Sequence, residues 1–540
     1  MEEFKSESKD LNKPTIYGIL DAKSAFDVLR HTNLIRKLYY LGISEQCILM
    51  IDNLYRDATS KIKWKGNTYD AFNIEQGVRQ GETLSADLCK VYVNQLLNNF
   101  VEFKLGGKIG SISCCAPTCA DDIAIVENKP FDVQVLINMA YDYSQREGYL
   151  LQPEKSVILP VKTNNKVTFA DDTWSMKNKP TPFVTKTSHI GIQRDTTDSA
   201  GSTIEENLKK ARRSLYSLMH TGLHGENGLD PVSAISMLQT FIFPIMFYGL
   251  EILLPTGKNI ELISKQYKRI IKQILSLPVN VADPAIYLKS GLLPAEAVIH
   301  TKGLILFGSI CRAGCTSTEW KIAERQLGIK CIKSNSWFIA VKAVFLEYEI
   351  GDPYMYLFDY MSKMQWKNLL KQKVSNYWSN RIKQEITLFT SLKYIGEIYT
   401  IGKCYPIART LSVNIRDISR IPVRLKILTG TYIFQAKRAV FNKTTPDGTC
   451  LMCKKNEETM NHFLLICEEL ECIRKPLILE IIIISSMLFA KHKVDAAFDI
   501  STIIVNPYFY CTRLNSEALI SDIDTELEPL CRSLCYKLHA

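Results

Sequence analysis

The hydrophobic pattern of the first 130 residues contains three short segments typical of strands. Residues 16–20 form a short apolar run, and two β-prone runs, 112–118 and 123–126, are separated by a tight polar turn. Short apolar runs bounded by turn residues are typical of buried strands. We therefore predict that these three segments contribute strands to a sheet.

Apolar residues three or four positions apart predict helices elsewhere. The first series is Leu84, Leu88, Tyr92, Leu96 and Phe100. Ser85 is its predicted N-cap. The second series is Leu208, Ala211, Leu215 and Leu218. Thr203 and Glu206 form a predicted capping box before it, and residues 230–250 and 260–277 are also predicted to be helical.

The most apolar stretch, residues 477–490, is shorter than the roughly 20 residues that span a bilayer, and it contains Glu480. We expect a buried helix or strand there. The polar N-terminus, MEEFKSESKDLNKP, lacks the apolar core of a signal peptide. The 16 cysteines are irregularly spaced, which favours reduced thiols. We therefore predict an intracellular protein, cytoplasmic or nuclear, with no membrane span.

Positive charge is concentrated in one part of this 540-residue chain. Residues 361–443 contain 16 lysines and arginines against three carboxylates, whereas the whole chain carries a net charge of +10. Aromatic residues are interspersed with these cations: Trp366, Tyr377, Trp378, Tyr394, Tyr399, Tyr405 and Tyr432. Cations that bind phosphates and rings that stack on bases predict a nucleic-acid surface. The alternative is a set of ordinary solvated helices.

Carboxylates lie at the ends of the predicted strands. Asp21 follows the first apolar run, and Asp121 and Asp122 lie between the other two. Two-metal phosphoryl transfer requires carboxylates from separate segments to hold two ions about 3.5–4 Å apart. If the strands are neighbours in one sheet, these three carboxylates converge. A second pair, Asp171 and Asp172, cannot be separated from the first by local sequence.

Three motifs occur in a fixed order, namely LDAKSAFD at 20–27, GVRQGETLS at 77–85 and CADD at 119–122. In this order they resemble the reverse transcriptases of non-LTR (LINE-type) retrotransposons, a resemblance that covers roughly residues 12–470. It implies an α+β fold, with a polymerase right-hand palm of antiparallel sheet backed by helices. A helical thumb, a basic and mostly helical region and a small zinc-binding module would follow. Motif order then assigns Asp171 and Asp172 to a solvated turn, because they come after the lysine segment QPEKS.

The same resemblance implies roles for individual residues. Asp21 and Asp121 would hold two Mg²⁺ ions with the Ala22 carbonyl, and Asp122 would also belong to the catalytic site. Lys155 would be the general acid. The nucleotide site would contain Phe26, Gln80 and Gly81, and the primer grip His189, Ile190 and Gly191. Phe26 would clash with a 2′-hydroxyl, so the expected substrate is dNTP.

The expected domains are a palm (1–200), a helical thumb (201–290), a helical connector (291–445) and a zinc module with a C-terminal tail (446–540). Only 20 residues precede Asp21. Polymerases of this type place their fingers before that strand, so we expect truncated fingers and no endonuclease domain. Truncation would weaken or abolish catalysis.

A second motif has the spacing Cys450-x2-Cys453-x8-His462-x4-Cys467. Three thiolates and one imidazole complete a tetrahedral set for structural Zn²⁺, with His462 and Cys467 one helical turn apart. Four unrelated buried residues are the alternative. LINE-type proteins carry a similar element near the C-terminus, commonly linked to RNA binding.

Three functional classes remain open at this stage. The first is an RNA-directed DNA polymerase that uses an RNA template, a DNA primer and dNTP. The second is a non-catalytic RNA- or DNA-binding protein. The third is an RNA-dependent RNA polymerase, a class that favours Gly-Asp-Asp and an aspartate at the position of Phe26.

Overall fold

The computed structural model describes residues 1–119, 122–161, 174–220, 222, 229–396, 402–409, 415–441, 447–494, 497–511 and 516–540. Asp121, Tyr399, Asp171 and Asp172 therefore lie outside the described residues. The strands are β1 (Thr15–Leu20), β2 (Thr59–Ser60), β3 (Lys63–Trp64), β4 (Asn67–Thr68), β5 (Phe72–Asn73), β6 (Lys108–Ile109), β7 (Ile112–Ser113), β8 (Thr118–Cys119), β9 (Asp122–Glu127), β10 (Val157–Val161), β11 (Ser175–Met176), β12 (Lys179–Pro180), β13 (Lys186–His189) and β14 (Ile192–Asp195).

Helices account for most of the remaining described residues. The α-helices are α1 (Glu2–Asp10), α2 (His31–Tyr40), α3 (Glu45–Tyr55), α4 (Thr83–Glu102), α5 (Pro130–Glu147), α6 (Ser199–Met219), α7 (Pro231–Met237), α8 (Phe243–Met246), α9 (Leu250–Leu253), α10 (Lys258–Ile274), α11 (Asp283–Ser290), α12 (Ala295–Ala313), α13 (Thr318–Ile329), α14 (Trp337–Glu347), α15 (Pro353–Phe358), α16 (Lys363–Thr387), α17 (Ile415–Leu428), α18 (Gln435–Phe441), α19 (Glu471–Lys491), α20 (Ile500–Val505), α21 (Ser516–Asp522) and α22 (Glu528–His539). Short π-helical turns occupy Leu238–Ile242, His462–Ile466 and Ile523–Leu527, and 3-10 turns occupy Thr390–Leu392, Pro406–Ala408 and Glu468–Leu470.

A four-stranded antiparallel sheet in the order β10-β1-β9-β8 is the centre of the N-terminal region. All six residues of the central strand β1 are buried. Alternate side chains face opposite sides of a sheet. Accordingly Ile16 and Leu20 belong to one hydrophobic cluster, with residues of α4 and α5, whereas Tyr17 belongs to another, with residues of α12, α14 and α16. Helices cover both faces, which explains why β1 is continuously apolar.

The structure confirms the expected mixture of an antiparallel sheet and helices. The predicted strand at 16–20 is β1, the predicted strand at 123–126 is β9, and the predicted helix at 260–277 is α10. The run 112–118 contains two short strands, β7 and β8, instead of one. Residues 230–250 are also divided, because a π-helical turn separates α7 from α8.

Both predicted helix caps are wrong. Glu82 occupies the N-cap position of α4, and the buried Ser85 hydroxyl donates to the Arg79 carbonyl at 2.6 Å. Asp198 caps α6 by accepting from the Gly201 N–H. Thr203 lies inside that helix and its side chain contacts the backbone of residue 193. Several polar residues lie near the start of each helix in the sequence. Tertiary contacts determine which of them occupies the N-cap position.

The basic segment 361–443 is only partly a surface. Trp366, Trp378 and Tyr405 are at most 4% exposed and pack in hydrophobic clusters, so they cannot stack on bases. Arg424 is completely buried and pairs with Glu528 at 3.1 Å. Other cations of the segment are exposed, namely Lys363, Lys367, Lys371, Arg381, Lys393, Lys403, Lys437 and Arg438. The prediction that the rings form a nucleic-acid surface is therefore wrong for these three residues.

A large hydrophobic cluster extends from α6 to α22. It joins the helices that follow the sheet to the C-terminal helices, and it includes Cys450 and Cys467. The apolar stretch 477–490 lies in α19, where Ile481, Leu488 and Phe489 are buried while the opposite face is exposed. Among the residues that the structure places, no helix combines the length and the apolar character needed to cross a bilayer.

The buried Arg424–Glu528 pair provides a test of this C-terminal packing. Glu528→Gln leaves the Arg424 guanidinium buried without a counter-charge, so we expect the free energy of unfolding to fall by about 3–5 kcal/mol. Urea denaturation followed by circular dichroism measures the change. Glu385→Gln removes an exposed i,i+4 partner of Arg381 and should change stability by less than about 1 kcal/mol. Equal effects of the two substitutions on stability would contradict the burial of the Arg424–Glu528 pair.

Candidate active site and metal-binding cluster

The register of β1 against β9 brings two of the predicted carboxylates to one end of the sheet. Leu20 pairs with Ile123, so Asp21 and Asp122, the next residues along the two antiparallel strands, are neighbours. Asp122 is exposed, and Asp21 is partly buried. Cys119 pairs with Asp122, so the end of β8 also lies at this place. Asp121, the remaining predicted carboxylate, lies outside the described residues.

The backbone around Asp21 is fixed by the segment that contains Lys155. The Asp21 N–H donates to the Ser156 hydroxyl at 3.0 Å, and the Gln152 N–H donates to the Asp21 carbonyl at 2.9 Å. Ala22 forms a β-bridge with Leu151. Lys155 is exposed in the turn before β10, and β10 pairs with β1. The predicted general acid is thus beside the candidate site, and Ser156 is a supporting residue that the motif comparison missed.

The loop after β1 and the GVRQG loop are joined through their backbones. The Val78 N–H donates to the Phe26 carbonyl and the Gly77 N–H donates to the Leu29 carbonyl, both at 2.7 Å. Gly77 has a φ of +92°, and a Cβ there would lie 2.9 Å from the Asp27 carbonyl oxygen. A glycine at position 77 is therefore required for the packing of the two loops.

Gln80 and Gly81, the predicted nucleotide-binding residues of this loop, are exposed. The Gln80 amide donates to an Asp27 carboxylate oxygen at 3.3 Å. Gly81 has a φ of +91° with open space where a Cβ would lie. Phe26 is half-buried against the hydrophobic cluster that contains Ile16 and Leu20 of β1. The structure thus brings Phe26 and Gln80 together, and Asp27 is a further polar group at this place that the sequence analysis did not single out.

The predicted primer-grip residues lie at the turn of a hairpin. Strands β13 and β14 pair, with Ile190 and Gly191 at φ values of +50° and +72° between them. The Tyr248 hydroxyl donates to the Ile190 carbonyl at 3.0 Å and fixes the turn against the helices that follow. Ile190 is exposed, whereas His189 is buried with no hydrogen-bond partner at either ring nitrogen. His189 is therefore a core residue.

A separate cluster contains the four predicted metal ligands. One ligand atom from each of Cys450, Cys453, His462 and Cys467 lies within 4.8 Å of the others. The Cys450 and Cys467 sulfurs are 3.9 Å apart, and the Cys453 sulfur is 3.4 Å from His462 Nε2. Two sulfurs bound tetrahedrally at about 2.3 Å from one zinc ion are about 3.8 Å apart. The four side chains therefore fit a single tetrahedral ion.

Backbone geometry holds this cluster. The Cys450 N–H donates to the Asn456 carbonyl, the Lys454 N–H donates to the Cys450 carbonyl, and Lys454 adopts a φ of +55°. Backbone N–H groups of Lys455 and Asn456 lower the pKa of the Cys453 thiol and so favour the thiolate. His462 begins a π-helical turn, so the x4 spacing to Cys467 is one π turn instead of one α turn. Cys472, the next cysteine along the chain, is exposed and outside the cluster.

The sequence of residues 2–184 matches the family described as reverse transcriptase (RNA-dependent DNA polymerase). This match covers the four-stranded sheet, including β8 and β9, and the GVRQG loop. The first third of the chain is therefore a reverse transcriptase domain.

The domain is of retrotransposon origin and is similar to the reverse transcriptase domains of R2-type non-LTR retrotransposon polyproteins. Two relatives are Pol polyproteins of the type-1 retrotransposable element R2 from Popillia japonica. One is 24% identical over 272 residues, covering 49% of this chain and 43% of its own length. A type-2 R2DM polyprotein from Drosophila melanogaster is 26% identical over 147 residues, covering 27% of this chain and 14% of the relative. The chain spans less than half the length of these curated relatives.

Two solved telomerase structures also align with the chain. One is the telomerase of Candida albicans in complex with a fragment of telomeric RNA. The alignment covers 64% of this chain and 54% of the telomerase chain, with 14% identity and a TM-score of 0.30. The alignment with the corresponding Candida tropicalis structure covers 61% of this chain and 51% of the telomerase chain, with 14% identity and a TM-score of 0.29.

The buried His189 predicts a pH dependence of stability. Burial, together with nearby Arg194, lowers its pKa from 6.5 to about 4. The unfolded chain therefore binds a proton more readily than the native one, and stability that is present above pH 6.5 is lost as the pH falls toward 4. We expect this loss to be about 1–3 kcal/mol.

Unfolding free energies measured between pH 7 and pH 4 test this dependence. His189→Leu removes the buried titration, so its profile should be flatter than that of the wild type over this interval. His220→Gln changes an exposed histidine and should reproduce the wild-type profile. An unchanged slope in His189→Leu would contradict the burial of His189.

Proposed function

We propose that this chain is an RNA-directed DNA polymerase that adds dNTP to a DNA primer on an RNA template. The observation that carries the proposal is the β1–β9 register, which brings Asp21 and Asp122 to one end of a sheet within a reverse transcriptase domain. Asp121 directly precedes Asp122 in the sequence. Carboxylates from two strands at one sheet end are the arrangement that two-metal phosphoryl transfer requires.

Each candidate residue has a defined task in this proposal. Asp21, Asp121 and the Ala22 carbonyl hold Mg²⁺, with Asp122 as a further acidic group. When bound, Mg²⁺ activates the primer 3′-hydroxyl and neutralises the developing charge on the leaving pyrophosphate. Lys155 donates a proton to the pyrophosphate. Its exposed position in the turn next to Asp21 supports this assignment.

The joined loops support a nucleotide site beside these carboxylates. Phe26 lies five residues after Asp21, and the Val78 N–H holds its carbonyl. In the proposal, its ring excludes the 2′-hydroxyl of an incoming nucleotide, which selects dNTP over rNTP. Gln80 and Gly81 contact the nascent base pair from the exposed side of the GVRQG loop. Ile190 and Gly191 position the primer, with His189 supporting their hairpin from the core.

The Cys450, Cys453, His462 and Cys467 cluster is proposed to bind one structural Zn²⁺. Its support is the 3.9 Å separation of two sulfurs and the four-ligand set, which leaves no open coordination position for catalysis. Cys450 and Cys467 are part of the hydrophobic cluster that also contains residues of α19 and α22. Zn²⁺ would therefore stabilise the C-terminal packing directly.

Primer extension on an RNA template with dNTP and Mg²⁺ tests the proposed activity. Asp21→Asn and Asp121→Ala each remove a metal ligand worth several kcal/mol of transition-state stabilisation, so we expect losses of at least about a hundred-fold in rate. Asp87→Asn is the control, because Asp87 is exposed on α4 and forms an i,i+3 ion pair with Lys90.

The outcomes separate the functional classes. RNA retention without extension in the wild type would favour a non-catalytic binding protein. Preferential use of rNTP would favour an RNA polymerase. Extension that survives both active-site substitutions would contradict the assignment of the metal ligands.

Metal analysis tests the zinc proposal. The wild type should contain one Zn²⁺ per chain, and chelation should lower its thermal midpoint. Cys450→Ser removes a buried ligand and should abolish zinc retention. Cys472→Ser, at an exposed cysteine outside the cluster, should retain the ion. A zinc-free wild type whose stability is unchanged by chelator would exclude the site.

A further inference from the structure

An exposed β-hairpin, residues 59–73, projects between α3 and the GVRQG loop. At its tip Lys63 pairs with Thr68 and Trp64 with Asn67. Lys65 and Gly66 connect these strands with φ values of +48° and +85°, as a two-residue type I′ turn requires. The hairpin thus has a defined register, and that register fixes which side chains share a face.

One face of this hairpin is apolar and open to solvent. Ile62 and Trp64 are two residues apart on one strand, and the Tyr69 N–H donates to the Ile62 carbonyl from the opposite strand. Side-chain alternation places these three residues on the same face. Their exposed fractions are 57%, 62% and 55%, and Phe72, opposite Ser60 at the base, is 50% exposed. Large apolar side chains grouped on a solvent-facing ribbon indicate a binding surface.

Trp64 is distinct among the six tryptophans of the chain, all of which the structure describes. It is exposed, whereas Trp174, Trp320, Trp366 and Trp378 are at most 6% exposed. Trp337 is half-buried and its indole N–H donates to the Glu251 carbonyl. An exposed tryptophan has no packing role here, and its emission reports on the hairpin alone.

Three lysines lie on the same hairpin as the apolar face. Lys61 and Lys63 alternate with Ile62 and Trp64 along the strand, and Lys65 is at the turn. All three are exposed, and in the described part of the chain none of them forms an ion pair within 4.0 Å. Side-chain alternation places Lys61 and Lys63 on the opposite face of this two-stranded ribbon, and lysine stems are long and flexible. Protein–protein interfaces are depleted in lysine, whereas single-stranded nucleic acid binds to aromatic rings flanked by cations.

The base of the hairpin is anchored at the candidate nucleotide site. The Ile74 N–H donates to the Ala58 carbonyl, and Gln76 forms a β-bridge with Arg30. Two residues further on, the Val78 N–H donates to the Phe26 carbonyl. A template strand must reach this site to pair with an incoming nucleotide. The hairpin therefore rises directly beside the candidate nucleotide site.

We propose that the hairpin 59–73 binds unpaired template RNA next to the polymerase site, with bases stacked on Trp64 and Tyr69 and phosphates bound by Lys61, Lys63 and Lys65. This inference rests on the proposed polymerase function and adds a template-binding element to it. Stacking of one base on an aromatic ring contributes about 1–3 kcal/mol. Each lysine that neutralises a phosphate adds to the salt dependence of binding.

Fluorescence titration of the full chain with a short oligouridylate tests the proposal. The RNA should quench tryptophan emission in the wild type, and Trp64→Phe should remove this quenching while largely retaining affinity measured by anisotropy of labelled RNA. Trp64→Ala should weaken binding about tenfold. Blunt RNA duplex, which offers no unpaired bases, should cause little quenching.

The lysines are tested with a charge-matched control. The triple variant K61Q/K63Q/K65Q should bind single-stranded RNA with a weaker salt dependence. The magnitude of the slope of log affinity against log salt should fall by up to about 2. K9Q/K13Q/K333Q makes the same charge change at three exposed lysines elsewhere and should leave the slope unchanged. Equal effects of the two triple variants would overturn the assignment of the hairpin lysines.

Two further results would overturn the proposal. The first is primer extension by a wild type whose Trp64 emission does not respond to oligouridylate. The second is protection of Trp64 from iodide by self-association in RNA-free protein, which would make the face a protein interface. Failure of the polymerase function is distinguishable, because Trp64 quenching would then persist without any primer extension.

Discussion

The antiparallel register of β1 with its two neighbours is the constraint on which the rest of the structure depends. Pairing of Leu20 with Ile123 puts Asp21 beside Asp122, and pairing of β1 with β10 puts the Lys155 turn against the Asp21 backbone. A slip of one residue would turn every β1 side chain to the other face of the sheet and separate the carboxylates. The register therefore determines both the core and the candidate chemistry.

Burial enforces this register from both sides of the sheet. Helices α4 and α5 cover one face, and α1 with the helices after residue 290 covers the other. Helix α1 is also held by polar contacts, because Glu7 and Asp10 both pair with Lys330 of the α13–α14 region. The sheet that carries the candidate site thus obtains part of its stability from segments far away in the sequence, and the C-terminal cluster adds a second core that includes the proposed zinc ligands.

Sequence alone identified what short-range patterns determine. A short continuous apolar run located β1, apolar residues four positions apart located α4, and cysteine spacing located Cys450 and its partners, because each of these elements leaves a local pattern in the sequence. Long-range packing was not accessible in this way. It decides that Trp366 is in a core, that His189 lacks a partner, and that the hairpin face around Trp64 is open to solvent.

We propose that Asp21, Asp121 and Asp122 share one metal site. Iron(II) bound in place of Mg²⁺ reduces added hydrogen peroxide to a hydroxyl radical and hydroxide and is itself oxidised to iron(III). The radicals cleave the backbone near the bound ion, so mass spectrometry of the fragments maps the site directly. We predict cleavage both near residue 21 and near residues 121–122, with both sets of fragments lost in Asp21→Asn and in competition with excess Mg²⁺. Cleavage at only one of the two segments, or fragments at 121–122 that persist in Asp21→Asn, would contradict a shared site.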